Sequence, residues 1–293
     1  MTSYDHLDPR LWPLMEEPDE RRIDYILLPK FIPYPRAEYI LQEVGDLCRI
    51  GSSPRPKCIL VSGSPGSGKS MILREALRLY GCEDGVGESG RKRWPFFSVE
   101  LPHMSDIRPL YGRVLTKLGV PHSLDDKAAL LHEQTWMGLQ GACTILLGLD
   151  EIHNLLATKR TEDCMTALRD ITNHGVGLLC AGIESARNVI SADPQMADRF
   201  RCHRLRPWTC SNDTRDFLAT LQARLPLRKP SELHQPEMLE MIVGLSQGHL
   251  GKMVTGVREA ARDAIRSGKE CLDTDAIKLA MQRQIREGYD VFA

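Results

Sequence analysis

Apolar residues fall into short unbroken runs separated by stretches of helical spacing. Cys58-Ile59-Leu60-Val61, Ile145-Leu146-Leu147-Gly148-Leu149 and Val176-Gly177-Leu178-Leu179-Cys180-Ala181 are of strand length and continuously apolar, the pattern of strands covered on both faces. Phe96 to Leu101 has strand character as well, and Cys202 to Trp208 is a further strand-like piece. Between these runs, Met71–Leu79, Ile107–Leu118, Ala128–Leu139 and Thr161–Asn173 carry apolar residues at helical spacing. Strand and helix alternate, which predicts an α/β core on a parallel sheet. From about Asn212 the pattern is wholly helical, with helices predicted over Thr214–Arg224, Pro236–Ser246, Lys252–Ser267 and Thr274–Glu287.

The leading segment differs from both regions. Pro29, Pro33 and Pro35 flank Phe31-Ile32-Pro33-Tyr34-Pro35-Arg36-Ala37, and prolines at that density favour an extended arm before a helix from about Ala37 to Cys48. The expected division is therefore residues 1–56 as arm and leading helix, 57–210 as α/β core, and 211–293 as helical lid and tail.

The first apolar run breaks into Gly63-Ser64-Pro65-Gly66-Ser67-Gly68-Lys69-Ser70, which has the spacing G-x-x-x-x-G-K-S of a phosphate-binding loop. Gly63, Gly66 and Gly68 permit a tight turn whose N–H groups point at an anion, at the positive end of the helix that starts near Met71. Lys69 reaches the β- and γ-phosphates in such a loop, and the Ser70 hydroxyl ligates Mg²⁺. The second apolar run ends in Asp150-Glu151, adjacent carboxylates suited to holding Mg²⁺ and to orienting or deprotonating an attacking water. Gly148 inside that run marks a close backbone approach. His153 and Asn154 read as caps of the following helix.

Composition narrows the classes. A formal net charge of −1 excludes a uniformly basic coat, so any contact with nucleic acid is local. No apolar run is long enough to span a membrane and no secretory signal is visible, which points to a soluble cytoplasmic protein. The nine cysteines include no C-x-x-C pair, and Cys202, His203 and Cys210 lack the paired spacing of a zinc site, so reduced core thiols are expected.

Phosphate loop, Asp-Glu strand, a strand after it, an arginine before the last strand and a helical lid together look like an AAA+ ATPase. More narrowly, the chain resembles the TniB/TnsC family of AAA+ transposition regulators over roughly residues 30–285. The similar stretches are Tyr34-Pro35-Arg36-Ala37, Gly63 to Ser70, Asp150-Glu151-Ile152-His153-Asn154, Asp198-Arg199-Phe200 and Leu225-Pro226-Leu227-Arg228-Lys229-Pro230-Ser231.

The resemblance implies an AAA+ P-loop three-layer sandwich with a parallel five-stranded sheet and a small C-terminal all-helical lid. It implies ATP bound by Gly63 to Met71, Mg²⁺ held by Ser70 and Asp150, Glu151 as the catalytic acid, and Arg199 as an arginine finger acting in trans, with Arg201 the nearby alternative. Implied partners are double-stranded DNA, a DDE-type transposase, a TniQ-like targeting protein and further copies of the chain in a ring or filament. DNA contacts are expected from Arg108, Arg113 and Lys117, with Arg91, Lys92 and Arg93. Two departures, Ile183 where the family has Thr and Lys252 where an arginine is common, point to slow, assembly-dependent hydrolysis. The competing readings are a P-loop switch that binds proteins but no DNA, and a replication-initiator or clamp-loader-like ATPase, disfavoured because no winged-helix-sized segment follows the lid.

Overall fold

The computed structural model describes residues 4–81, 93–103, 106–156 and 161–290. A 3₁₀ helix over Pro9–Glu16 is followed by α1 (Asp19–Leu27), α2 (Pro35–Ile50), β1 (Cys58–Gly63), α3 (Lys69–Tyr80), β2 (Phe96–Glu100), α4 (Arg108–Leu118) and α5 (Ala128–Gly141). Next come β3 (Leu146–Asp150), α6 (His153–Leu156), α7 (Thr161–Asn173), β4 (Gly177–Gly182), α8 (Glu184–Ala192), α9 (Pro194–Ala197) and β5 (Phe200–Leu205). The chain then runs through α10 (Asn212–Gln222), α11 (Pro236–Ser246), α12 (Leu250–Arg266) and α13 (Thr274–Asp290).

The strands form one five-stranded sheet in the order β2-β3-β4-β1-β5, with every pairing parallel. β1 and β4 are buried along their whole length, which explains why their sequences do not alternate. On one face, Cys58 and Leu60 of β1 join Leu147 and Leu149 of β3, Leu178 and Cys180 of β4, and Leu168 and Ile171 of α7 in a single apolar cluster. Each leucine buried there contributes about 2 kcal/mol. Gly148 makes room for side chains rather than for another backbone, since a Cβ on it would lie 2.6 Å from Ser98 Cβ and 3.0 Å from Leu73 Cδ1. The last strand starts at Phe200 instead of Cys202, because Cys58 N–H donates to the Arg199 carbonyl (2.9 Å) and opens the β1–β5 ladder there.

Two compact units emerge, residues 39–65 with 69–205, and residues 1–38 with 66–68 and 206–293. The expected arm is therefore not a separate piece. Its first part is helical and belongs with the C-terminal helices. Pro9 and Pro35 begin helices and Pro18 caps one, positions where a missing N–H costs nothing, whereas Pro29 and Pro33 lie in the non-helical stretch between α1 and α2, as expected. Fully buried Arg22 of α1 donates to both Glu270 oxygens (2.8 and 2.6 Å) and to the Pro226 carbonyl (3.0 Å). In the same unit Tyr34 packs edge-on against Trp208 and Phe217, and burial pushes its hydroxyl up to about 12.

Candidate nucleotide site

β1 ends at Gly63 and α3 begins at Lys69, so the glycine loop lies between a buried strand and a helix N-terminus. Gly66 (φ 71°) and Gly68 (φ 95°) occupy left-handed backbone, which a side chain would strain. That geometry explains their place in the motif. The Lys69 ammonium turns back over the loop and donates to the carbonyls of Gly63 (3.0 Å) and Ser64 (2.9 Å). Burial lowers its pKa, while Glu151 and Asp150 oppose the shift. Ser67 is buried and its hydroxyl has no hydrogen-bond partner among the described residues, whereas Ser70 and Met71 are half-buried. A buried cation, a glycine loop at a helix N-terminus and an orphan hydroxyl fit a polyphosphate.

β3 ends at Asp150 on the same edge of the sheet, with β4 between it and β1, which sets the two strand ends about 10 Å apart. Asp150 Oδ1 accepts the Glu151 N–H (2.9 Å), and the Asp150 carbonyl accepts the Leu101 N–H (3.1 Å). Glu151 itself is left-handed (φ 56°), an uncommon state for a residue with a side chain. The turn is anchored by Ile152, whose N–H donates to the Ala181 carbonyl of β4 (2.9 Å).

His153 and Asn154 do not act as caps. The Asn154 amide donates to the Leu101 carbonyl (2.9 Å), and His153 Nδ1 lies 3.2 Å from Glu151 Oε2. The signal was a histidine two residues beyond the acid, and it is the first residue of α6 rather than the residue before it.

Arg199 is at the other edge of the sheet, immediately before β5, and its guanidinium donates to Thr172 Oγ1 and to Asn173 Oδ1 (2.7 Å) at the end of α7. By strand rise, that is roughly 20 Å from Gly63 in the same subunit. Arg201 is exposed and paired with Glu43, which also contacts buried His203 through Nε2 (2.6 Å). Burial would raise the Glu43 carboxyl, but hydrogen bonds from Arg201 and His203 hold it below its ordinary value.

Among the expected DNA contacts, Arg113 and Lys117 are exposed on one face of α4, and Arg93 is exposed. Arg108 instead donates to Asp106 (2.7 Å) and to the Leu124 carbonyl (3.3 Å). Arg91 and Lys92 lie outside the described residues. Ile183 precedes α8 without capping it through a side chain, and Lys252 is exposed.

A parallel β2-β3-β4-β1-β5 sheet with a glycine loop at the end of β1 and paired carboxylates at the end of β3 defines the AAA+ ATPase fold. The same fold is found in the Aeropyrum pernix ORC2 protein (ADPNP-ADP complexes), with a TM-score of 0.65 at 17% identity over 88% of this chain and 70% of that one. The chain belongs to the TniB family, whose bacterial TniB protein model matches residues 22–210. The Aeropyrum pernix ORC1 protein in complex with DNA is also similar, with a TM-score of 0.65 at 20% identity, covering 88% of this chain and 68% of that chain. Domain III of the Thermotoga maritima replication initiation protein DnaA has a TM-score of 0.54 at 12% identity over 97% of this chain and 98% of its own. No curated protein matches. No helix among the described residues is long and apolar enough to cross a membrane.

Proposed function

We propose that this protein is an ATP-hydrolysing switch that assembles on double-stranded DNA and links target selection, through a TniQ-like protein, to a DDE-type transposase. The observation that carries the nucleotide half is the buried Lys69 ammonium, held over the loop carbonyls with Asp150 and Glu151 acting on it. Gly63 to Met71 hold the triphosphate. Lys69 exchanges the Gly63 and Ser64 carbonyls for phosphate oxygens, a stronger charge-assisted contact. Ser70 and Asp150 hold Mg²⁺, which when bound neutralises charge on the phosphates. Glu151 orients the attacking water and takes its proton. Arg199 completes the site of the next subunit, since it is at the far edge of the sheet from its own loop.

The DNA half rests on TniB membership and on exposed Arg113 and Lys117, which suit sequence-independent phosphate contact. Its test is binding to random-sequence duplex DNA with a non-hydrolysable ATP analogue over a range of salt. Nucleotide-dependent binding that weakens steeply as salt rises is expected. No binding at low salt would overturn the DNA half and leave a switch that acts on proteins alone.

A further inference from the structure

We infer that His153 is a positioning residue for Glu151, holding its carboxylate in the orientation from which it addresses water; this rests on the reading of Glu151 as the base. Glu151 is on a backbone fixed at every step. Its N–H is held by Asp150 Oδ1 (2.9 Å), its carbonyl accepts the Asn154 N–H (2.9 Å), and Ile152 is tied to β4 and fully buried. Gly182 packs so closely below that a Cβ there would meet Ile152 Cγ2 at 2.6 Å. The left-handed conformation at φ 56° sets the direction in which the side chain leaves this turn.

Beyond Cβ no hydrogen bond among the described residues restrains the acid. Its side chain is about a third exposed, at 37%, with three torsions to fix. The His153 ring is the group that meets it, 3.2 Å from Nδ1 to Oε2. That nitrogen makes no hydrogen bond among the described residues, Glu151 included, so ring and carboxylate meet as a close polar contact rather than as an aligned hydrogen bond. The same rigid turn carries both residues, so ring and carboxylate are presented to one another as a unit.

In the hydrolytic step the water oxygen bonds to the γ-phosphorus as the bond to the β–γ bridging oxygen breaks. Glu151 receives the proton, and ADP leaves with the bridging electron pair. A carboxylate free to rotate samples the productive position only part of the time, which lowers turnover without weakening nucleotide binding.

The test is steady-state ATP hydrolysis by the full chain on duplex DNA with Mg²⁺, alongside direct titration of a fluorescent ATP analogue. His153→Ala should lower kcat roughly tenfold, with KM and analogue affinity within twofold of the parent. His153→Asn places an amide nitrogen near the position of Nδ1 and should recover most of the loss. In a Glu151→Gln background, His153→Ala should cost nothing further, whereas damage to the fold would multiply through both backgrounds. Unchanged kcat in His153→Ala, failure of the Asn variant to recover it, or losses that multiply would each overturn the positioning role. Full turnover by Glu151→Gln alone would instead overturn the reading of Glu151 on which the inference rests.

Discussion

At Lys69, the ammonium hydrogen-bonds its own loop carbonyls, so its replacement removes the group that exchanges those partners for phosphate. Lys69→Ala should lower ATP affinity by about two orders of magnitude, consistent with loss of a buried charge-assisted contact, and filter binding checks it. Glu151→Gln keeps the shape and the turn but removes the basic oxygen. Nucleotide binding should stay within twofold while turnover falls at least about a hundredfold, measured by phosphate release. Both residues were legible because their chemistry demands a fixed spacing: glycines where φ is positive, and carboxylates where a buried strand ends. What stood next to them was not. The Glu151–His153 contact depends on a left-handed turn at a residue that usually avoids one. The hold of Thr172 and Asn173 on Arg199 joins residues far apart in the chain.

Elements were legible where burial is one-sided or complete. Continuous apolar runs gave β1, β3 and β4, and helical spacing gave α3, α4, α5 and α7, whereas the shorter α6, α8 and α9 were not legible. The prolines marked the non-helical stretch between α1 and α2, but the helices before it were missed, because α1 reads as polar while anchoring through buried Arg22. That anchor has a pH signature. Burial would raise Glu270, but hydrogen bonds from the Arg22 side chain and the Arg228 N–H outweigh it and hold the carboxyl below its ordinary value. A folded-state value below the unfolded one adds stability above the unfolded pKa and loses it as pH falls through the folded one. Thermal melting should therefore drop on acidification below about pH 4.5. Glu270→Gln should flatten that limb and, by leaving buried Arg22 with only the half-exposed Asp19 as counter-charge, cost roughly 3 kcal/mol at neutral pH. Gly148→Val tests sheet packing independently: with Ser98 Cβ at 2.6 Å, it should destabilise by about 2 kcal/mol or more in denaturant melts.

At the scale of the whole molecule, near-zero net charge confines any DNA contact to a local face. Charge reversal of Arg113 and Lys117 together should weaken duplex binding at all sequences alike and lower the slope of log affinity against log salt by about two, read from titrations across salt. Arg199→Ala should bind ATP normally and hydrolyse poorly. Mixed with Lys69→Ala subunits, it should regain turnover, because each mutant supplies what the other lacks; no recovery in a mixed assembly would overturn action in trans. The sheet and its loop were readable from sequence alone, but the pairing of the first 38 residues with the C-terminal helices was not, since no local pattern records it.

The placement of Arg199 and the glycine loop at opposite edges of one parallel sheet makes each subunit directional, with a donor end and an acceptor end. Head-to-tail contacts between such subunits are heterologous, so they either close or run on. Under the proposed action of Arg199 in trans, the terminal subunit of an open string has nobody to complete it, and the number of working sites is one fewer than the number of subunits. A closed ring has no such deficit. Turnover per subunit should therefore climb gradually with length in a filament and step up at closure in a ring, so that enzyme kinetics against assembly size counts the ends that an image would have to find.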